Sequence, residues 1–128
     1  MRNGDMYYRI VFMSPSRQPT LSEGLELAVL LVVGHLGPDN AYSIEVRREL
    51  MARSGRAYAI GAISTTLQRL EDKGFLTSRM SDPLPVRGGR SRRHFTLTGA
   101  GQRALREAEQ NAAAMWSGVG NILRPRTS

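Results

Sequence analysis

Residues 60–76, Ile60-Gly61-Ala62-Ile63-Ser64-Thr65-Thr66-Leu67-Gln68-Arg69-Leu70-Glu71-Asp72-Lys73-Gly74-Phe75-Leu76, carry the pattern on which the fold turns. Ile60, Ile63, Leu67 and Leu70 recur at spacings of three and four, so a helix from Ala59 or Ile60 to Lys73 gathers them into one narrow stripe. The opposite face carries Gly61, Thr65, Gln68, Arg69 and Asp72. Lys73 places a cation at the negative end of the helix dipole, and Gly74 takes a left-handed cap at no steric cost. The helix therefore stops there and Phe75-Leu76 re-enters the core.

Upstream, Gly37-Pro38-Asp39-Asn40 separates two further helices. The first is expected from about Ser22 to Leu36, capped by Thr20 or Ser22, with Glu23 and Glu26 in its first turns. The second is expected from about Ala41 to Arg53, capped by Asp39 or Asn40 and ended by Ser54-Gly55. Ile44, Met51 and the pair Arg47-Arg48 lie on different sides of it.

Downstream, Leu76–Met80 and Arg92–Leu97 alternate as a half-buried hairpin does, with Leu76, Ser78 and Met80 expected against His94, Thr96 and their neighbours. The connection Ser81–Ser91 is bent by Pro83 and Pro85 and loosened by Gly88-Gly89. Arg87, Arg90, Arg92 and Arg93 charge it and its exit, with no acid after Asp82. Such a loop reads as a wing. Thr98 then caps a final helix on which Leu105, Ala108, Ala112, Met115, Val119 and Ile122 form the seam of a helix–helix contact, with Trp116 beside it. Gly118 and Gly120 weaken its last turns and Pro125 prevents extension.

The resulting fold class is mainly α with a small antiparallel β-hairpin (α+β), a winged helix-turn-helix with a C-terminal dimerisation helix. The expected divisions are an arm at 1–19, or residues upstream of a start at Met6 or Met13; a DNA-binding domain at 20–97; a dimerisation helix at 98–123; and a frayed tail at 124–128. The chain has 128 residues, 41% of them hydrophobic, enough for one modest core without staples. It has no cysteine, which excludes a disulfide framework or a thiolate zinc site and fits a cytoplasmic location. No apolar stretch is long enough to cross a membrane, and no signal peptide is expected.

The net charge is +7, and Lys73 is the one lysine, so arginine supplies nearly all the positive charge. Arginine's planar fork matches phosphate oxygens and guanine edges, which makes double-stranded DNA the first partner to consider. In helix-helix-helix-hairpin-helix order, the third helix fits a major groove while the wing reaches the neighbouring backbone or minor groove.

These residues resemble the PadR-like transcriptional regulators from about Leu21 to Leu105. The matching pieces are Ala41-Tyr42-Ser43-Ile44, Ile60-Gly61-Ala62-Ile63, Leu67 to Leu76, Arg87-Gly88-Gly89-Arg90, and Phe95-Thr96-Leu97-Thr98-Gly99-Ala100-Gly101. The resemblance implies a homodimer, usually a repressor, whose C-terminal helix helps dimerise and whose third helix reads DNA. Two positions depart from it. Ser64 stands where the family usually has tyrosine, and Ala41 replaces the glycine of a usual Gly-Tyr pair. No contact of that tyrosine transfers to this chain. Carried over by position, Gly61, Thr65, Gln68 and Arg69 are the groove candidates, Arg87, Arg90, Arg92 and Arg93 the wing candidates, and Arg47 and Arg48 weaker phosphate candidates. Leu105, Ala108, Ala112, Met115, Trp116, Val119 and Ile122 are the dimerisation candidates.

An enzyme is not expected. His35 and His94 have no zinc-like spacing and read as structural, and no metal or cofactor is implied. Glu45 and Glu49 alternate with arginines as solvated ion pairs do. Gly99-Ala100-Gly101 and Gly118-Val119-Gly120 lack the strand-to-helix setting and full spacing of a nucleotide loop. Two rivals remain: a regulator sensing a hydrophobic small molecule between subunits at Met115 and Trp116, and a winged helix that binds RNA or protein.

Overall fold

The computed structural model describes residues 24–81 and 91–124. Its elements are α1 (Leu25–Leu36), α2 (Ser43–Ser54), α3 (Ile60–Asp72), β1 (Leu76–Met80), β2 (Arg93–Leu97), α4 (Gly99–Trp116) and α5 (Val119–Leu123). The three first helices pack against one another, β1 lies along α3, and β2 together with the start of α4 closes over α1.

Helix α1 is apolar on most sides because it is the central element. Val29, Leu30, Val32 and Val33 are buried, and Gly34 lets the side chains of Leu97 and Leu105 come close. Its N-cap is Gly24, which makes no side-chain cap. Thr20, Ser22 and Glu23 lie outside the described residues. The helix ends at Gly37, whose φ of +80° turns the chain away.

Helix α2 starts two residues later than its sequence suggests, and neither Asp39 nor Asn40 caps it; Tyr42 occupies the N-cap position without a side-chain bond. The reason lies across the fold. The carbonyl of Ala41 accepts the Phe95 amide at 2.9 Å, so Ala41, fully buried, is committed to the free edge of β2 rather than to a helical turn. Val46 and Leu50 are the buried positions of α2, whereas Ile44 faces solvent at 57% exposure.

The sequence stripe of α3 holds at Ile63, Leu67 and Leu70, with Thr66 buried in place of Ile60. Ile63, Thr66, Leu67 and Leu70 are buried, while Ile60 is 44% exposed. Thr66 enters the core because its hydroxyl donates to the Ala62 carbonyl at 2.7 Å and needs no other partner. The end of α3 is a Schellman motif: Phe75 N–H bonds Leu70 O, and Gly74 N–H bonds Glu71 O, both at 2.9 Å. Gly74 makes the turn at φ +86°.

Strands β1 and β2 pair antiparallel with Leu76 opposite Leu97, Ser78 opposite Phe95 and Met80 opposite Arg93. This corrects the expected facing: His94 and Thr96 oppose Arg79 and Thr77, one step out of register with Leu76 and Ser78. Phe95 and His94 are both buried, on opposite faces of the strand, because the Tyr42 ring packs against His94 on the second face. Thr98 then joins two helix ends. Its hydroxyl donates to Gly74 O at 2.6 Å and accepts Gly101 N–H at 3.0 Å.

The C-terminal helix is not continuous. Gly118 adopts φ +78° and divides α4 from α5, so the seam from Leu105 to Ile122 is broken between Trp116 and Val119. Leu105 packs against the core edge, but every residue from Glu109 to Gly118 is exposed. Residues 125–128 of the expected tail lie outside the described residues.

Candidate nucleic-acid interface

Helix α3 presents Gly61, Ser64, Thr65, Gln68, Arg69 and Asp72 to solvent, opposite its buried stripe. Among the described residues Arg69 has no hydrogen-bonding or ionic partner, so its guanidinium projects a full charge. It bonds neither Glu71 nor Asp72. Gln68 is engaged: its Nε2 donates to Asp72 Oδ1 at 3.0 Å, one turn further along the helix.

The frame that holds α3 uses residues whose roles are not visible from their spacing. Arg47, half-buried on α2, donates from Nε to the Tyr58 carbonyl at 2.6 Å and so fastens the turn leading into α3. Lys73 bonds both oxygens of Glu26, at 2.8 and 3.1 Å, tying the far end of α3 to the first turn of α1. Glu26 is 8% exposed, so this pair is largely withdrawn from water. Arg48 pairs with Glu45 and Arg53 with Glu49 on the exposed side of α2, as solvated ion pairs.

At the wing root, Arg92 lies 4.5 Å above the centre of the Tyr42 ring, and His94 meets the same ring edge-on at 5.3 Å. Arg93 donates to Ser78 Oγ at 2.9 Å, and Ser78 in turn donates to Glu71 Oε2 at 2.6 Å. The two root arginines are therefore anchored, one to Tyr42 at the N-cap of α2 and one to α3 through β1. Arg87 and Arg90 lie outside the described residues. Arg79, on β1, bonds Asp39 at 3.0 Å and pins the turn before α2.

Arg56, exposed in the α2–α3 turn, is a further cation beside the start of α3 that the sequence reading passed over. Its position N-terminal to an apolar stripe was a usable signal. His94 is buried, with its Nδ1 unpaired among the described residues, and His35 is exposed on α1. No group of three metal-binding side chains occurs among the described residues, and no helix there is long and apolar enough to cross a membrane.

This arrangement of three helices, anchored hairpin and outward α3 is matched by a family model. The model of the transcriptional regulator PadR-like family covers residues 30–107, more than half of the chain, from the middle of α1 to the middle of α4. The chain belongs to the PadR-like family.

Solved structures of PadR-like proteins resemble it along most of its length. A PadR family regulator from Eggerthella lenta is 26% identical over 94% of this chain and 99% of that one, with a TM-score of 0.58. A PadR-like regulator from Bacillus cereus is 20% identical over 80% of this chain and 93% of that one, with a TM-score of 0.63. One from Clostridium difficile is 23% identical over 75% and 95%, at a TM-score of 0.54. No curated protein sequence matches the chain. Family membership makes the chain a transcriptional regulator with a winged-helix fold. The PadR-like match includes α3 and both hairpin strands but ends before Ala108, so the apolar end of α4 and all of α5 lie beyond it.

Proposed function

We propose that this PadR-like regulator is a cytoplasmic homodimeric repressor that binds a palindromic operator, with α3 in the major groove and the arginine wing on the backbone or minor groove. The observation that carries the reading is the exposed Arg69, without a partner among the described residues, on a helix whose two ends are clamped, by Arg47 at the entering turn and by Lys73 at the exit. A base-reading side chain needs a rigid support, and Gln68 and Arg69 have one. Thr65 and Gly61 lie nearer the N-terminus of α3, where a recognition helix approaches base edges. Arg92 and Arg93, held at the wing root, supply register and affinity without sequence information, and Arg87 and Arg90 extend that charge. Arg47 acts through the turn it braces, and Arg48 is a peripheral phosphate contact.

Selection of bound sequences from random duplex DNA, followed by gel shift on the resulting consensus, tests this directly. Two symmetric half-sites about one helical turn apart are expected. If roughly six phosphates are neutralised per dimer, affinity falls by orders of magnitude between low and moderately high salt. Preference for structured RNA over duplex in competition, or salt-independent binding, overturns the reading.

A second reading concerns effectors. Trp116 and Met115 are 63% and 84% exposed at the end of α4, so a hydrophobic small molecule held between subunits would touch them first. Quenching of Trp116 fluorescence by hydrophobic aromatics, with linked loss of DNA affinity, is the result that supports sensing.

A further inference from the structure

The bond between Gln68 and Asp72 is an unusual use of charge. Asp72 puts an anion in the last turn of α3, where the helix dipole disfavours it, and on the exposed face proposed to meet a polyanion. Neither helix stability nor bulk DNA affinity accounts for a carboxylate there. Its contact with Gln68 does, once the donor inventory is followed. An ionised carboxylate only accepts hydrogen bonds, so it faces the amide nitrogen of Gln68 and excludes the flipped amide, whose oxygen would meet the carboxylate oxygen. With one Nε2 hydrogen held by Asp72, Oε1 and the second Nε2 hydrogen remain as a side-by-side acceptor and donor. That pair matches the N6 amino group and N7 of adenine. A free glutamine offers the same two atoms in exchanged positions half the time, and the match is lost.

We infer that Asp72 is a specificity-determining positioning residue, which fixes the amide of Gln68 in the one orientation that reads adenine. This rests on α3 lying in the major groove, as proposed above. Asp72 touches no base in this scheme. It gives up affinity for DNA in general and gains discrimination at one base pair per half-site, so its removal moves the two quantities in opposite directions.

The test uses the full chain and four forms: the parent, Asp72→Ala, Gln68→Ala and the double variant. Each is measured against the selected operator, its single-base variants and a random duplex of equal length. Gln68→Ala identifies the base pair that Gln68 reads, expected to be A·T. Asp72→Ala is expected to lower discrimination at that pair by about twofold, since the freed amide is correctly oriented half the time, to leave other positions unchanged and to tighten binding to random duplex. In the Gln68→Ala background, Asp72→Ala is expected to add the general tightening and no further loss of discrimination. Asp72→Asn, which accepts or donates and so tolerates both amide orientations, is expected to fall between. Circular dichroism and thermal midpoints of all forms serve as the check on folding, since both residues are exposed.

The inference is overturned if Asp72→Ala keeps full discrimination at the Gln68 base pair, or if it weakens discrimination equally at every position. In either case the parent still binds its operator and the proposed function stands. If the parent selects no duplex sequence, both fall together.

Discussion

Single atoms decide several features of this molecule, and Gly101 is the clearest. A Cβ added there would lie 2.2 Å from the Phe75 carbonyl oxygen, which belongs to backbone and cannot swing away. Gly101→Ala is therefore expected to cost about 2–3 kcal/mol, seen as a lower urea midpoint at unchanged slope. Gly61 is the opposite case: nothing lies within 4 Å of its added Cβ, and it sits in the first turn of α3. Gly61→Ala should raise stability by about 0.5–1 kcal/mol. If duplex affinity falls while stability rises, a methyl group has been placed where DNA comes close. The two neighbouring arginines of α2 separate in the same way. Arg47→Ala leaves the Tyr58 carbonyl without its donor at the α3 turn and should cost about 1–2 kcal/mol. Arg48→Ala breaks an exposed pair with Glu45 and should change stability by less than about 0.5 kcal/mol.

At the scale of elements, the proposed function divides the work of recognition between α3 and the wing, and substitution should separate them. Replacing Gln68 and Arg69 with alanine is expected to change which sequences are selected. Replacing Arg87 and Arg90 should weaken binding to all duplexes alike and flatten its salt dependence. Competition gel shifts at two salt concentrations distinguish these outcomes, and a wing variant with altered sequence preference would contradict the division. Much of this layout is legible in the sequence because it is local. The stripe Ile63, Leu67, Leu70 and the stop at Gly74 mark α3, and Thr98 before Gly101 marks the start of α4. What escaped reading depends on partners far along the chain. Ala41 looks helical until the Phe95 amide claims its carbonyl. The hairpin register follows from how Leu76 and Phe95 both reach the core, and alternation alone does not specify which residues oppose. Gly118 was visible as a weak point, but only the backbone shows a full break between α4 and α5. At the site, the exposed face of α3 was readable from periodicity. The Arg47, Lys73 and Glu71 attachments that hold it were not, because a charged residue's partner is set by the fold.

At the scale of the whole molecule, the end of α4 is not accounted for by a single chain. Beyond Ala108 the helix leaves the core, yet Met115, Trp116, Ile122 and Leu123 are 84%, 63%, 80% and 70% exposed. A short helix exposed on all sides is marginal in water, and large apolar groups gathered at one end are stabilised by cover. In the proposed homodimer a second copy of the same surface supplies it symmetrically. Trp116→Asp combined with Ile122→Asp is expected to turn the proposed homodimer into a monomer in sedimentation velocity, without unfolding the winged domain, because neither residue belongs to its core. The consequence for DNA follows from linkage. Two α3 helices in one particle make the second half-site contact intramolecular, with an effective concentration in the millimolar range, so dimerisation is worth about 10²–10⁴ in operator affinity. The monomeric variant should lose that factor on the full operator while binding an isolated half-site as the parent does. Its salt dependence should also be about half as steep, since half as many phosphates are neutralised. A variant that stays dimeric would place the interface elsewhere on the chain. A monomer with undiminished operator affinity would mean that one α3 is sufficient, and the palindrome would lose its physical basis.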